Sequence, residues 1–207
     1  MILASKYLRR SLASALALTA LLGPVLAAAE PTPADKESAR TLVLSGRAKR
    51  IDGNQGAALT DFKSAWALVK NPTTGYELGR QHFELGQWVE ARDVLLEVLR
   101  MPEAPKEPSA FVRARSDARE LSERLAVEIP SLRIRLEGAA ASPPPEVTVD
   151  GSPIRAEALS TPIKVNPGKH VVVARQGGAR TEQSVTLQRK EEAEITLDLS
   201  AGGGGDR

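Results

Sequence analysis

The sequence predicts an α+β multidomain protein: antiparallel helical hairpins of about five helices, then a small all-β sandwich. Three observations carry this. Apolar residues follow a helical spacing before Pro130 and strict alternation after it. Small and apolar residues in the first part recur at one fixed offset. The breaks between periodic segments are marked by Gly, Asn and Pro, the residues that end helices and make turns.

The chain opens with Lys6, Arg9 and Arg10, followed by an uncharged Leu- and Ala-rich run from Ser11 to Ala29. The run ends in Ala27-Ala28-Ala29 before Glu30. A charged start, an apolar middle and a small-residue exit predict a signal peptide over residues 1–29. The competing reading is a retained membrane anchor. The run is about long enough to span a bilayer, but Gly23 and Pro24 interrupt it. The expectation is an exported protein of the periplasm, or alternatively of the outer surface, with no stable transmembrane helix in the mature chain. The absence of Cys excludes disulfides and a lipid-bearing cysteine.

The charge balance follows from the same segment. The chain holds 28 basic and 26 acidic residues. Removing the three basic residues before Glu30 leaves 25 against 26, a net charge of −1. A nucleic-acid partner is therefore not expected.

Residues 30–35 read as a linker that runs into a helix start. Thr32 is suited to cap, Pro33 to the first helical position, and Asp35 to the positive end of the helix dipole. Helical patterns cover 34–51, 54–70, 73–85, 87–101 and 109–128, and the helical domain is placed at 36–128. Gly46, Gly53, Ala58, Phe62 and Ala65 recur 33 residues later as Gly79, Gly86, Ala91, Leu95 and Val98. Small residues on both helices of a hairpin allow close approach, Phe62 and Leu95 fill the seam, and Gly53 and Gly86 make tight turns with positive φ.

This pattern resembles the tetratricopeptide repeat. The second copy carries it best: Leu78-Gly79, His82, Gly86, Trp88, Ala91, Leu95 and Pro102. The first copy is degenerate, with Ser45 and Lys49 at family core positions, and the period is one residue shorter than usual. The resemblance covers about 36–105. The last helix, with Phe111, Ala118, Leu121 and Leu125 at helical spacing, is expected to cap the stack.

After Pro130, alternating pairs and triplets predict strands with one buried face: Leu132, Ile134 and Leu136; Val147 and Val149; Val171 and Val173; Val185 and Leu187; Ile195, Leu197 and Leu199. The segment 131–199 resembles the bacterial PEGA domain through Glu137-Gly138-Ala139, Val147-Thr148-Val149-Asp150-Gly151 and Pro167-Gly168-Lys169-His170. Leu136 stands where the name-giving motif has Pro. The resemblance implies a small sandwich found in envelope and surface proteins, without established catalytic residues. Residues 200–207 read as a flexible Gly-rich tail.

The inventory for catalysis is thin. His82 and His170 fall in different domains without a carboxylate at metal-ligand spacing, and each is assigned a structural role. No Gly-rich phosphate loop or nucleophile elbow occurs. No catalytic residue, metal or cofactor is expected. The tetratricopeptide resemblance implies that first helices line a concave face, here Arg40, Val43, Arg47 and Arg50, then Tyr76, Arg80, Phe83 and Glu84. Arg forks interleaved with aromatics suit carboxylate-bearing segments. The expected function is a non-enzymatic scaffold or adaptor binding an acidic or C-terminal segment of an envelope protein. The alternative is a module binding cell-wall or surface polysaccharide, disfavoured by the lack of aromatics in 131–199. Trp66 and Trp88 are expected in the core, and Arg133 and Arg135 on a solvent face.

Overall fold

In a computed structural model, residues 30–140 and 142–200 are described. The expected signal peptide, and the tail beyond Ser200, lie outside the described residues. Five helices come first: α1 (Pro33–Ile51), α2 (Gln55–Leu68), α3 (Pro72–Glu84), α4 (Trp88–Arg100) and α5 (Ser109–Glu128). Seven strands follow: β1 (Ser131–Glu137), β2 (Glu146–Val149), β3 (Ser152–Ile154), β4 (Ile163–Lys164), β5 (Gly168–Gln176), β6 (Ala179–Leu187) and β7 (Glu192–Asp198). The arrangement is α+β, helices before strands.

Local chemistry sets the helix ends. Thr32 caps α1 and accepts from the Asp35 N–H at 3.2 Å, while the Asp35 carboxylate accepts the Thr32 N–H at 2.9 Å. Since α1 begins at Pro33, the second half of the expected linker is its first turn. Asn71 and Thr74 make the same reciprocal cap on α3, with Pro72 in the first position. Gly53 and Gly86 take φ of +79° and +74° in the two hairpin turns.

The repeat has a direct structural cause. A Cβ on Gly46 would come within 2.7 Å of Phe62 Cε1, and one on Gly79 within 2.8 Å of Leu95. Each glycine therefore lets one helix of a hairpin lie against the large side chain of the other. Phe62, Leu95, Val98, Ala118 and Leu125 are fully buried in the resulting core. Trp66 is buried, and Trp88 is half-buried and stacks on Phe83 at 5.8 Å between ring centroids. Arg115 is buried as well. Its guanidinium donates to the carbonyls of Val98, Met101 and Pro102 and pairs with Glu107, which fixes the chain between α4 and α5.

The strands form two sheets. One has the order β4-β1-β7, with β1 and β7 parallel; the other has the order β3-β2-β5-β6. Register sets apolar against apolar: Ile134 faces Ile195, and Leu136 faces Leu197. Both sheets supply one core that contains Leu132, Val147, Val172, Leu187 and Leu197. Arg133 and Arg135 lie on the exposed side of β1 and pair with Glu194.

One expected face is reversed. Val171 and Val173 are only half-buried, whereas Val172 and Ala174 are fully buried and share their face of β5 with His170. His170 sets this register: its Nδ1 lies 2.6 Å from Asp150 Oδ2 and its Nε2 lies 2.5 Å from the Asn166 carbonyl oxygen. Those partners satisfy the ring where it is buried.

The two regions belong to one compact unit that starts at Pro31. The carbonyls at the end of α5 are met from the β side. Glu128 accepts from the Lys190 N–H, Ile129 from Lys164 Nζ, and Pro130 from the Val165 N–H. At α4, Gln87 makes no side-chain cap; instead Asn166 accepts the Val89 N–H at 2.8 Å and donates to Glu90 at 2.9 Å.

Candidate binding groove

Alternate helices α1, α3 and α5 share one side of the helical region and line a groove of three adjoining hollows. The first, about 510 Å³, lies between α1, from Lys36 to Arg47, and the starts of α3 and α5. The central one, about 660 Å³, shares Arg47, Thr73 and Ala110 with it. The last, about 300 Å³, lies between α3 and α5 and shares Tyr76, Arg80 and Asp117 with the centre.

All seven expected groove residues line these hollows: Arg40 and Val43 the first, Arg47 and Arg50 the centre, Tyr76 and Arg80 the centre and the last, Phe83 the last. Glu84 lines the last as well. Their roles differ from the expectation in three respects. Val43 is buried and packs with Ala39, Ala65 and Val69, so it forms the floor of the groove and part of the core. Arg47 and Arg50 are not free forks. Glu77, only 4% exposed, accepts from Arg47 Nε at 2.7 Å and from Arg50 Nη2 at 2.9 Å. Arg50 also lies over the Phe62 ring, 5.1 Å from its centroid, which partly offsets the buried Nη1 that lacks a hydrogen bond. Arg80 pairs with Glu84 at 2.9 Å. Burial pulls the Arg80 guanidinium pKa down, but the hydrogen bond and charge of Glu84 outweigh it and hold it above its ordinary value.

Sequence reasoning missed Glu77, Lys36, Thr73 and the α5 wall. Arg113, Asp117, Glu120 and Arg124 recur at three- and four-residue steps along α5 and face the groove, a polar stripe that was legible as a second face of the capping helix. Lys36, Arg40, Arg113, Asp117 and Glu120 make no ion pair among the described residues. Burial, then the charge of Asp117, pushes the Tyr76 phenol above its ordinary pKa, so it remains a hydrogen-bond donor at neutral pH.

Both histidines are buried. His82 Nδ1 contacts Gln87 Oε1 at 2.6 Å, and burial holds the ring pKa below its usual value. Among the described residues, no group of three or more His, Cys, Asp or Glu is placed to hold a metal ion, and no helix is long and apolar enough to cross a membrane. Comparison of the sequence with family models and with curated proteins finds no match.

Proposed function

We propose that the chain is a non-enzymatic, exported envelope protein that binds a segment of another protein in the α1–α3–α5 groove. In this reading the helical region is tetratricopeptide-like and the β region is an accessory PEGA-like sandwich. One observation carries it: the residues that the tetratricopeptide resemblance implies all line one groove, which offers unpaired cations, half-buried aromatics and a Tyr hydroxyl. The partner chemistry is a carboxylate-bearing segment, acidic or C-terminal.

Affinity capture of the intact protein from its own envelope, followed by mass spectrometry, tests this. A Lys36→Glu, Arg40→Glu variant removes charge that no internal ion pair uses, so a binding defect in it belongs to the groove. Partners that persist unchanged on this variant overturn the reading. Co-sedimentation of the protein with purified cell wall, undiminished in the variant, would favour polysaccharide binding instead.

A further inference from the structure

The charge of the groove changes sign along its length. The first hollow is lined by Lys36, Arg40 and Arg47 and by no acid. The centre holds four arginines and two acids, and two of those arginines are already engaged by Glu77. The last hollow holds Glu84, Asp117 and Glu120 against Arg80 and Arg124. Here Arg80 is occupied by Glu84, and Arg124 lies over the Phe83 ring at 4.8 Å. Among the described residues, the charges left without an ion pair are thus Lys36 and Arg40 at one end, Arg113 in the centre, and Asp117, Glu120 and Arg124 at the other, where the acids outnumber the base.

The ends are far enough apart to act separately. Along α5 the groove runs about 21 Å from Ala110 to Arg124, and the acids Asp117 and Glu120 lie about 10 Å and 15 Å beyond Ala110, at ~1.5 Å per residue. Both acids therefore lie beyond the Debye length of about 8 Å at physiological salt. An extended chain rises about 3.3 Å per residue, so roughly six residues fill the groove.

We propose that the groove selects a bipolar segment of about six residues, acidic where it meets Lys36 and Arg40, basic where it meets Asp117 and Glu120, with an apolar side chain between. This rests on the reading of the groove as the binding face and adds its specificity. A uniformly acidic segment is attracted at one end and repelled at the other. A bipolar one gains at both, and the centre, where Glu77 already engages Arg47 and Arg50, takes the apolar residue beside Tyr76 and Ile51.

The test uses the intact, isotope-labelled protein and three capped hexapeptides: Asp-Asp-Leu-Ser-Lys-Lys, Asp-Asp-Leu-Ser-Asp-Asp and Lys-Lys-Leu-Ser-Lys-Lys. Amide shifts locate each peptide and give its affinity. The bipolar peptide is expected to bind about tenfold more tightly than either uniform one and to shift both ends of the groove. The all-acidic peptide is expected to shift only the end near Arg40. In an Asp117→Asn, Glu120→Lys variant the all-acidic peptide should become the better ligand. Equal binding of the three peptides, or an unchanged order in the variant, overturns the bipolar specificity while groove binding stands. No shift of any groove amide by any peptide overturns the groove reading and this inference together.

Discussion

The helical region and the β region treat polar side chains in opposite ways. Asp61, Glu77, Gln81, His82 and Arg115 are all buried among the helices, whereas the strands bury only Ser131 and His170. All aromatic residues of the described chain lie between Phe62 and Phe111, and 131–199 has none. The strands follow from alternation and packing except at β5, where His170 goes inward to Asp150 and the Asn166 carbonyl. The helices hold charges that are costly to desolvate, and the buried charge of Glu77 fixes two arginines on the wall of an open groove. Departures from simple packing rules concentrate where a fold does something besides fold.

Core truncation gives the largest expected effect and compares the two regions directly. Phe62→Ala should cost about 3–5 kcal/mol and Leu132→Ala about 2–5 kcal/mol, read as shifts in the urea midpoint. Phe62 should cost more, because its ring also fills the space that Gly46 leaves and lies under Arg50. Next comes the contrast between a buried and an exposed ion pair. Glu77→Ala should cost about 3–5 kcal/mol, since two guanidiniums lose their carboxylate. Glu194→Ala, which frees Arg133 and Arg135 on the surface, should stay within about 1 kcal/mol. Equal losses at the two sites would remove the contrast between the regions.

A smaller effect belongs to the contact between them. Asn166→Ala should cost about 1 kcal/mol, as loss of a helix cap does, and should speed hydrogen exchange at the Val89 amide. Acidification should separate the regions again. Burial keeps the His82 pKa below 6.5, so the folded state binds fewer protons there than the unfolded chain. The contribution of His82 is complete above pH 6.5 and is lost as pH falls through the lowered folded value. Asp150 is likewise depressed below 3.8: burial opposes this, and the Val171 N–H and His170 outweigh the burial. Its contribution is lost only under stronger acid. Thermal unfolding at pH 7.5 and 5 should therefore show a loss that His82→Leu reduces. The least effect is expected from Lys36→Glu with Arg40→Glu, about 0.5 kcal/mol or less, because both side chains are exposed and unpaired.

The helices were legible in the sequence because their ends carry their own chemistry: Thr32-Pro33, Gly53-Asn54, Asn71-Pro72 and Gly86. The close approach at Gly46 and Gly79 was legible because it recurs at a fixed spacing. The buried face of β5 was not. Val171, Val172 and Val173 offer alternation no contrast, and the register depends on a polar residue, His170, going inward to partners that only the fold supplies. The groove was half legible. Its α1 and α3 walls were named only through the resemblance to the tetratricopeptide repeat. Glu77 remained hidden because an acid among arginines reads as surface, and the α5 wall because that helix had already been assigned to covering the stack.

The end of α5 has one more consequence. Its closing carbonyls are held by Lys190, Lys164 and Val165, so the change of period at Pro130 does not coincide with a joint. A load applied to the β region would pass straight into a helix that forms one wall of the groove. Any force on the β region would thus act on the groove wall without an intervening hinge.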